Sequence, residues 1–163
     1  MQPPLDPIRP TDAQAVDLAR GLLTSGRLAA LGTLAPVTGH PLVTRIAFLG
    51  QPDGSGLTLV SALSAHAGAL RADPRCGLLI GESGPKGDPL NTPRLSLQVL
   101  AEPLDPSDPD RPRLRDRWLA AHPKSKLYID FADFFFVRFR FLSASLNGGF
   151  GKAYLLTPAD LAP

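Results

Sequence analysis

Apolar residues recur along this chain in two different periods. From Thr11 to Gly26 they fall at helical spacing: Thr11-Asp-Ala-Gln14 has the form of a capping box, and Ala15, Val16, Ala19, Leu22 and Leu23 make one apolar face that stops at Gly26. From Arg27 to about Leu104 the pattern shortens to Leu28–Leu34, Pro41–Leu49, Leu57–Ser61, Cys76–Ile80 and Leu95–Ala101, which read as strands. Between them, Pro36-Val-Thr-Gly39, Pro52-Asp-Gly54 and Gly84-Pro-Lys-Gly-Asp-Pro89 carry the residues of turns and loops. A second helical pattern covers roughly Pro109 to Ala121. There Leu114, Trp118, Leu119 and Ala121 are apolar, and Arg111, Arg113, Arg115 and Arg117 read as a solvated face.

The strongest strand signal is Asp133–Leu142, where Phe135, Val137, Phe139 and Phe141 alternate with Phe134, Phe136, Arg138 and Arg140. The odd positions are expected to face a core. The even positions begin apolar and end charged, which predicts a face covered at one end by a subunit or ligand and wet at the other. Six or so strands without regular strand-helix-strand alternation predict a mainly antiparallel, closed or half-closed barrel.

Bulk properties narrow the function classes. A chain of 163 residues fits one domain, taken as 1–163 with an N-terminal arm over 1–10. A net charge of +2 does not describe a dedicated nucleic-acid binder, although arginine outnumbers lysine 13 to 4. One cysteine, Cys76, excludes an intramolecular disulfide or thiolate cluster and reads as a buried strand thiol in a reducing setting. The start, Met1-Gln-Pro-Pro-Leu-Asp, has neither a basic nor an apolar segment, and no run approaches the ~18 apolar residues of a membrane span. A cytoplasmic protein without membrane or nucleic-acid partners is the expectation. There is no P-loop, Gly-x-Gly-x-x-Gly, Gly-x-Ser-x-Gly or His-Glu-x-x-His motif. His40, His66 and His122 lie far apart without ligand-spaced partners, so no metal site is expected.

Candidate chemistry concentrates in Ser61-Ala-Leu-Ser64-Ala-His66 through Asp73-Pro74, where a strand runs into a short helix. A helix start leaves N–H groups unpaired at the positive end of its dipole, which suits a phosphate, and Arg45 on the preceding strand could complete the site. The same residues also read as an N-cap (Ser64), a strand-end hydroxyl (Ser61), a surface histidine and an outward strand charge.

Three blocks then occur in order. They are Pro41-Leu-Val-Thr-Arg45-Ile-Ala-Phe; Leu57-Thr-Leu-Val-Ser61-Ala-Leu-Ser64-Ala-His66 through Arg75; and Gly87-Asp-Pro-Leu90 leading to Arg94-Leu-Ser-Leu-Gln98. The chain closes with Asn147-Gly-Gly-Phe-Gly-Lys152-Ala-Tyr154. Together they resemble the pyridoxamine 5′-phosphate oxidase-related family of FMN-binding split barrels, most closely its haem-utilisation (HugZ-type) branch. The resemblance implies a six-stranded antiparallel split barrel of Greek-key type with flanking short helices, and a homodimer with FMN at the subunit interface. It places Arg45 and Ser61 on the flavin phosphate or ribityl chain and His66 where the oxidases proper have a phosphate-binding lysine. Arg94 falls near a position that reaches the isoalloxazine. Ser64 is carried as a further phosphate contact. The glycines of the last block allow positive φ, and Asn147 and Lys152 offer donors to flavin carbonyls or phosphate; a simple glycine-rich bend is the alternative. Phe150 is expected to cover the flavin or plug the core.

The implied function is an FMN-dependent oxidoreductase on an unidentified small molecule, with no catalytic acid or base among these residues. The alternative is a non-catalytic flavin- or haem-binding protein. Asn147–Tyr154 replaces the oxidase block that recognises pyridoxal phosphate, and the chain ends at Pro163 where longer haem-utilisation members continue. Neither pyridoxamine-phosphate oxidation nor haem breakdown is therefore expected.

Overall fold

The computed structural model describes residues 6–163. The first half of the expected N-terminal arm, residues 1–5, lies outside the described residues. Its remainder contains β1 (Ile8–Arg9), followed by α1 (Ala13–Ser25), β2 (Leu28–Leu34), β3 (Pro41–Ala47), β4 (Leu49–Gly50), β5 (Gly56–Ser61), α2 (Ala65–Ala72), β6 (Arg75–Ile80), β7 (Arg94–Pro103), α3 (Arg111–Ala121), β8 (Phe134–Asn147), β9 (Ala153–Leu156) and α4 (Pro158–Leu161). The strand periodicity thus locates every long strand. The short pieces β1, β4 and α4 escape it because two to four residues cannot display a period.

The strands form one nine-stranded sheet in the order β1-β9-β8-β7-β6-β2-β3, with β5 on the other side of β8 and β4 beyond it. The expected mainly β architecture with flanking short helices is present, and in place of a mainly antiparallel, closed or half-closed split barrel of six strands the described residues form one open, mixed sheet. β1 pairs β9 in parallel, and among the described residues no hydrogen-bonded ladder joins β3 to β5 to close the ring. The 14 residues of β8 make the branch. Its first half, Phe134–Phe139, pairs with β5, and its last residues, Ala144–Asn147, pair with β9.

α1 starts differently from the sequence expectation. Asp12, not Thr11, is the N-cap: its carboxylate accepts from the Ala15 N–H at 2.8 Å, while the Thr11 hydroxyl donates to the Leu155 carbonyl at 2.6 Å. Ala15, Ala19 and Leu23 bury the inner stripe of the helix against the sheet.

Two cores result. The larger gathers Leu31, Phe48, Val60, Leu95, Val137, Phe139 and Leu146 inside the curved sheet. The smaller lies on the opposite face of β8, where Phe136 packs with Leu57, Leu114, Trp118 and Ile129. The odd residues of the phenylalanine run do face the main core, Val137 and Phe139 completely. Its even face is covered by this chain's own α3, with Trp118 edge-on to Phe136 at 5.9 Å, rather than by a subunit or ligand. Three of the four arginines of α3 are paired: Arg113 with Asp110 at 2.7 Å, Arg115 with Asp130 at 2.5 Å, and Arg117 donating to Gln51 at 2.9 Å. No helix among the described residues is long and apolar enough to cross a membrane.

Candidate functional site

Strand β5 ends at Ser61, the two-residue turn Ala62-Leu63 follows, and Ser64 caps α2. Ser64 accepts from the Ala67 N–H at 3.3 Å and donates to the Ser61 carbonyl at 2.7 Å, so its hydroxyl serves the helix cap. The Ser61 hydroxyl donates to the Asp133 carboxylate at 2.5 Å and accepts from the Leu63 N–H at 3.1 Å. Asp133 comes from the start of the phenylalanine-rich segment 72 residues away. Sequence reading did not find it. Only the antiparallel register of β5 with β8, which sets Ser61 opposite Phe134, brings it here.

His66, one residue into α2, lies half-buried with Nδ1 3.2 Å from the Thr44 hydroxyl of β3. Burial pushes its imidazole below the ordinary histidine range, favouring the neutral ring. Ser61, Ser64 and His66 are therefore gathered as expected, with Thr44 and Asp133 as unforeseen members. The N–H groups of Ala65 and His66 head the helix with no intrahelical carbonyl to receive them. Beside Ser61 lies an aromatic shelf. Phe134 stands 4.8 Å from Tyr128 and 6.4 Å, edge-on, from Phe131, and Leu63 and Phe131 are exposed to solvent.

Arg45 does not join this group. Thr44 meets His66, and strand alternation turns Arg45 to the opposite face of β3. There it lines a groove of about 320 Å³ with Ala30, Val43, Leu79 and Glu82. Arg94 and Asn147 form a directly opposed cross-strand pair at the ends of β7 and β8. Both are occupied locally: Arg94 donates to the Leu90 carbonyl at 2.8 Å, and Asn147 accepts from the Gly149 N–H at 3.0 Å. Since β2 and β6 separate β3 from β7, the strands that carry Arg45 and Arg94 lie about 14 Å apart across the sheet. A single chain does not draw all seven residues into one site.

The last block is a bend between β8 and β9, as its alternative reading had it. Gly149 and Gly151 adopt φ of 116° and 67°, values that favour glycine, whereas Gly148 needs no such freedom. The bend is closed by Gly148 N–H to the Lys152 carbonyl at 2.7 Å and Lys152 N–H to the Gly149 carbonyl at 3.1 Å. The Lys152 residue borders a separate polar groove with Arg9 and Asp12. Phe150 does not plug the core: it is 94% exposed, and its N–H donates to the Asn91 side-chain oxygen at 3.0 Å. Cys76 is half-buried on β6, and burial, with Asp73 nearby, pushes its thiol up to about 12.

Comparison with known proteins adds to this geometry. The family described as CREG, beta-barrel, matches residues 10–161. The non-canonical heme oxygenase HOZ, chloroplastic, of Arabidopsis thaliana is 32% identical over 117 residues, covering 72% of this chain and 35% of that protein. The chain thus spans about a third of the length of that curated relative. A heme binding protein from Mycobacterium smegmatis superposes with a TM-score of 0.81 at 27% identity, covering 94% of this chain and 61% of that one. A FAD-binding protein from Mesorhizobium loti shares the fold alone: 16% identity, TM-score 0.65, 85% of this chain and 95% of that one.

Proposed function

The chain belongs to the CREG β-barrel family, and on that premise we propose that it is a haem-binding protein that works as a homodimer. The observation that carries this reading is the state of the donors at the head of α2. The Ser61 hydroxyl already faces a carboxylate, the Ser64 hydroxyl caps its own helix, and His66 tends to neutrality. A phosphate dianion would meet the Asp133 carboxylate, and the imidazole would have to gain its proton against the effect of burial. A flat apolar ring system meets no such obstacle beside Phe131 and Phe134.

The donor set fits a haem. When Nδ1 of His66 donates to Thr44, the ring is oriented and its Nε2 is the nitrogen left to bind iron. A bound haem would supply a redox-active iron. The Thr44 hydroxyl orients the half-buried imidazole through Nδ1. The relatives whose names mention haem support the reading.

A second reading keeps FMN as cofactor of an oxidoreductase acting on a small molecule. It is favoured by the two free N–H groups heading α2 and by the fold shared with the FAD-binding protein. It requires Asp133 to release Ser61 and His66 to gain a proton.

The test is to titrate the purified full chain with hemin and, separately, with FMN, following absorbance and retention through gel filtration. The expected result is retained haem with a ligand-field spectrum that His66→Ala alters, and no retained FMN. Retained FMN without haem would establish the second reading, and retention of neither would refute both.

A further inference from the structure

Two half-buried arginines that the haem reading does not use meet at one cleft. Arg20 lies on the second half of α1 and Arg117 on α3, and both border a cavity of about 220 Å³ with Leu23, Gln51, Pro52 and Leu161. Close backbone contacts hold its walls. A Cβ on Gly50 would stand 2.4 Å from the Leu23 carbonyl oxygen, and one on Gly54, whose φ is 82°, would stand 2.9 Å from the Ala162 Cα. α1, the β4–β5 turn and the segment after α4 are thus already packed together, and α3 contributes Arg117.

Neutral groups orient both guanidinium groups and leave their charge uncompensated. Arg20 donates Nε–H to the Asp160 carbonyl at 2.9 Å and Nη2–H to the Ala162 carbonyl. Arg117 donates Nη1–H to the Gln51 side-chain oxygen at 2.9 Å, and Gln51 donates to the Leu49 carbonyl at 3.4 Å. A guanidinium carries further donors in its fixed fork, so each keeps N–H groups without a partner among the described residues. Neither forms an ion pair among the described residues, whereas Arg113 and Arg115 of α3 each pair with an aspartate. The acidic residues next in sequence to the lining are engaged locally. Asp160 accepts from the Thr157 N–H at 2.7 Å and hydroxyl at 2.9 Å, and Asp53 accepts from the Ser55 N–H at 2.9 Å and hydroxyl at 2.6 Å.

Two such forks on one cleft suit an oxyanion, since guanidinium binds carboxylate or phosphate oxygens two at a time. The rest of the lining selects between them. Leu23, Pro52 and Leu161 offer hydrocarbon, which would leave the outer oxygens of a phosphate without partners and suits the body of an organic acid. The volume is below the ~300 Å³ at which pockets for drug-sized ligands begin, so the acid is small. We propose that this cleft binds a small organic monocarboxylate, its headgroup between Arg20 and Arg117 and its hydrocarbon body against Leu23, Pro52 and Leu161. β5 runs from Gly56, beside the turn, to Ser61, so the cleft and the head of α2 lie at opposite ends of that strand, about 17 Å apart along it. Binding at one is therefore independent of binding at the other.

The test titrates the purified, isotope-labelled full chain with benzoate, with its neutral isostere benzamide and with inorganic phosphate, read by calorimetry and by amide spectra. The expected result is saturable benzoate binding, at least about tenfold tighter than that of benzamide or phosphate, with amide shifts centred on Gly50, Gln51, Gly54 and Arg117. Arg117→Gln should weaken benzoate binding at least about tenfold. Arg117→Lys, which keeps the charge and loses the fork, should weaken it by less, and Arg113→Gln should leave it level, with unchanged circular dichroism in all three. No saturable binding of benzoate or phosphate overturns the site. Benzoate binding that both Arg117 variants leave level, or whose shifts centre on Ser61, Ser64 and His66, overturns its placement. Phosphate bound more tightly than benzoate overturns the assignment to a carboxylate.

Discussion

Replacing Gly50 by alanine tests how closely α1 lies against the sheet. The added Cβ would stand 2.4 Å from the Leu23 carbonyl oxygen and 3.0 Å from its carbon, both backbone atoms of the last turn of α1. Backbone cannot rotate away as a side chain can. Reaching the lower edge of ordinary contact, 3.4 Å, requires a separation of about 1 Å. That movement pulls on Ala15, Ala19 and Leu23, which are buried in the main core. Overpacking of this kind costs about 1–3 kcal/mol. For a chain of this size that lowers the melting temperature by about 2–12 °C. The comparison is the same substitution at Gly21, inside α1, where a Cβ meets nothing within 4 Å. There alanine is expected to stabilise by about 1 kcal/mol. Thermal and urea melts followed by circular dichroism read both. A Gly50→Ala protein as stable as wild type would refute the close approach, and a destabilised Gly21→Ala would refute the packing argument from the opposite direction.

Three further outcomes follow from buried groups. Ser125→Ala leaves the Trp118 indole N–H, which donates to that hydroxyl at 3.0 Å, without its partner inside the smaller core; a loss of about 1–3 kcal/mol is expected in urea melts read by the single tryptophan, and an unchanged midpoint would contradict the network. Cys76, with its thiol pushed up to about 12, should resist an aromatic disulfide reagent at about pH 8 until the chain is unfolded, and rapid labelling of the native protein would show the burial to be wrong. His66 has a folded pKa below its unfolded one, so the unfolded chain binds more protons and stability is lost as pH falls. In the ligand-free protein, His66→Gln should therefore flatten the decline in melting temperature between about pH 8 and pH 5, whereas an equally steep decline would place the acid sensitivity elsewhere.

Local patterns account for much of the fold. Leu28–Leu34 appears as a strand over the span its apolar segment predicts, and Ser64 caps α2 as its position before an alanine-rich helical stretch suggests. Other positions were legible in chemistry but not in role. The even face of the phenylalanine run signals that something covers it, yet only packing shows that Trp118 of α3 does so. Asp133 carries no local sign of its contact with Ser61, because a pairing across 72 residues is set by strand register.

The sequence alone therefore determined the strand and helix content, the apolar stripe of α1 and the gathering of hydroxyls and imidazole at the head of α2. These depend on periodicity and on residues within one turn of each other. The tertiary structure decided the branching of β8, the absence of a closing β3–β5 ladder, the turning of Arg45 away from His66 and the pairing of Gly32 with Gly77. Each of these is a relation between strands, fixed by which ladders form and in which register. A one-residue change of register would reverse the face on which every side chain of a strand lies.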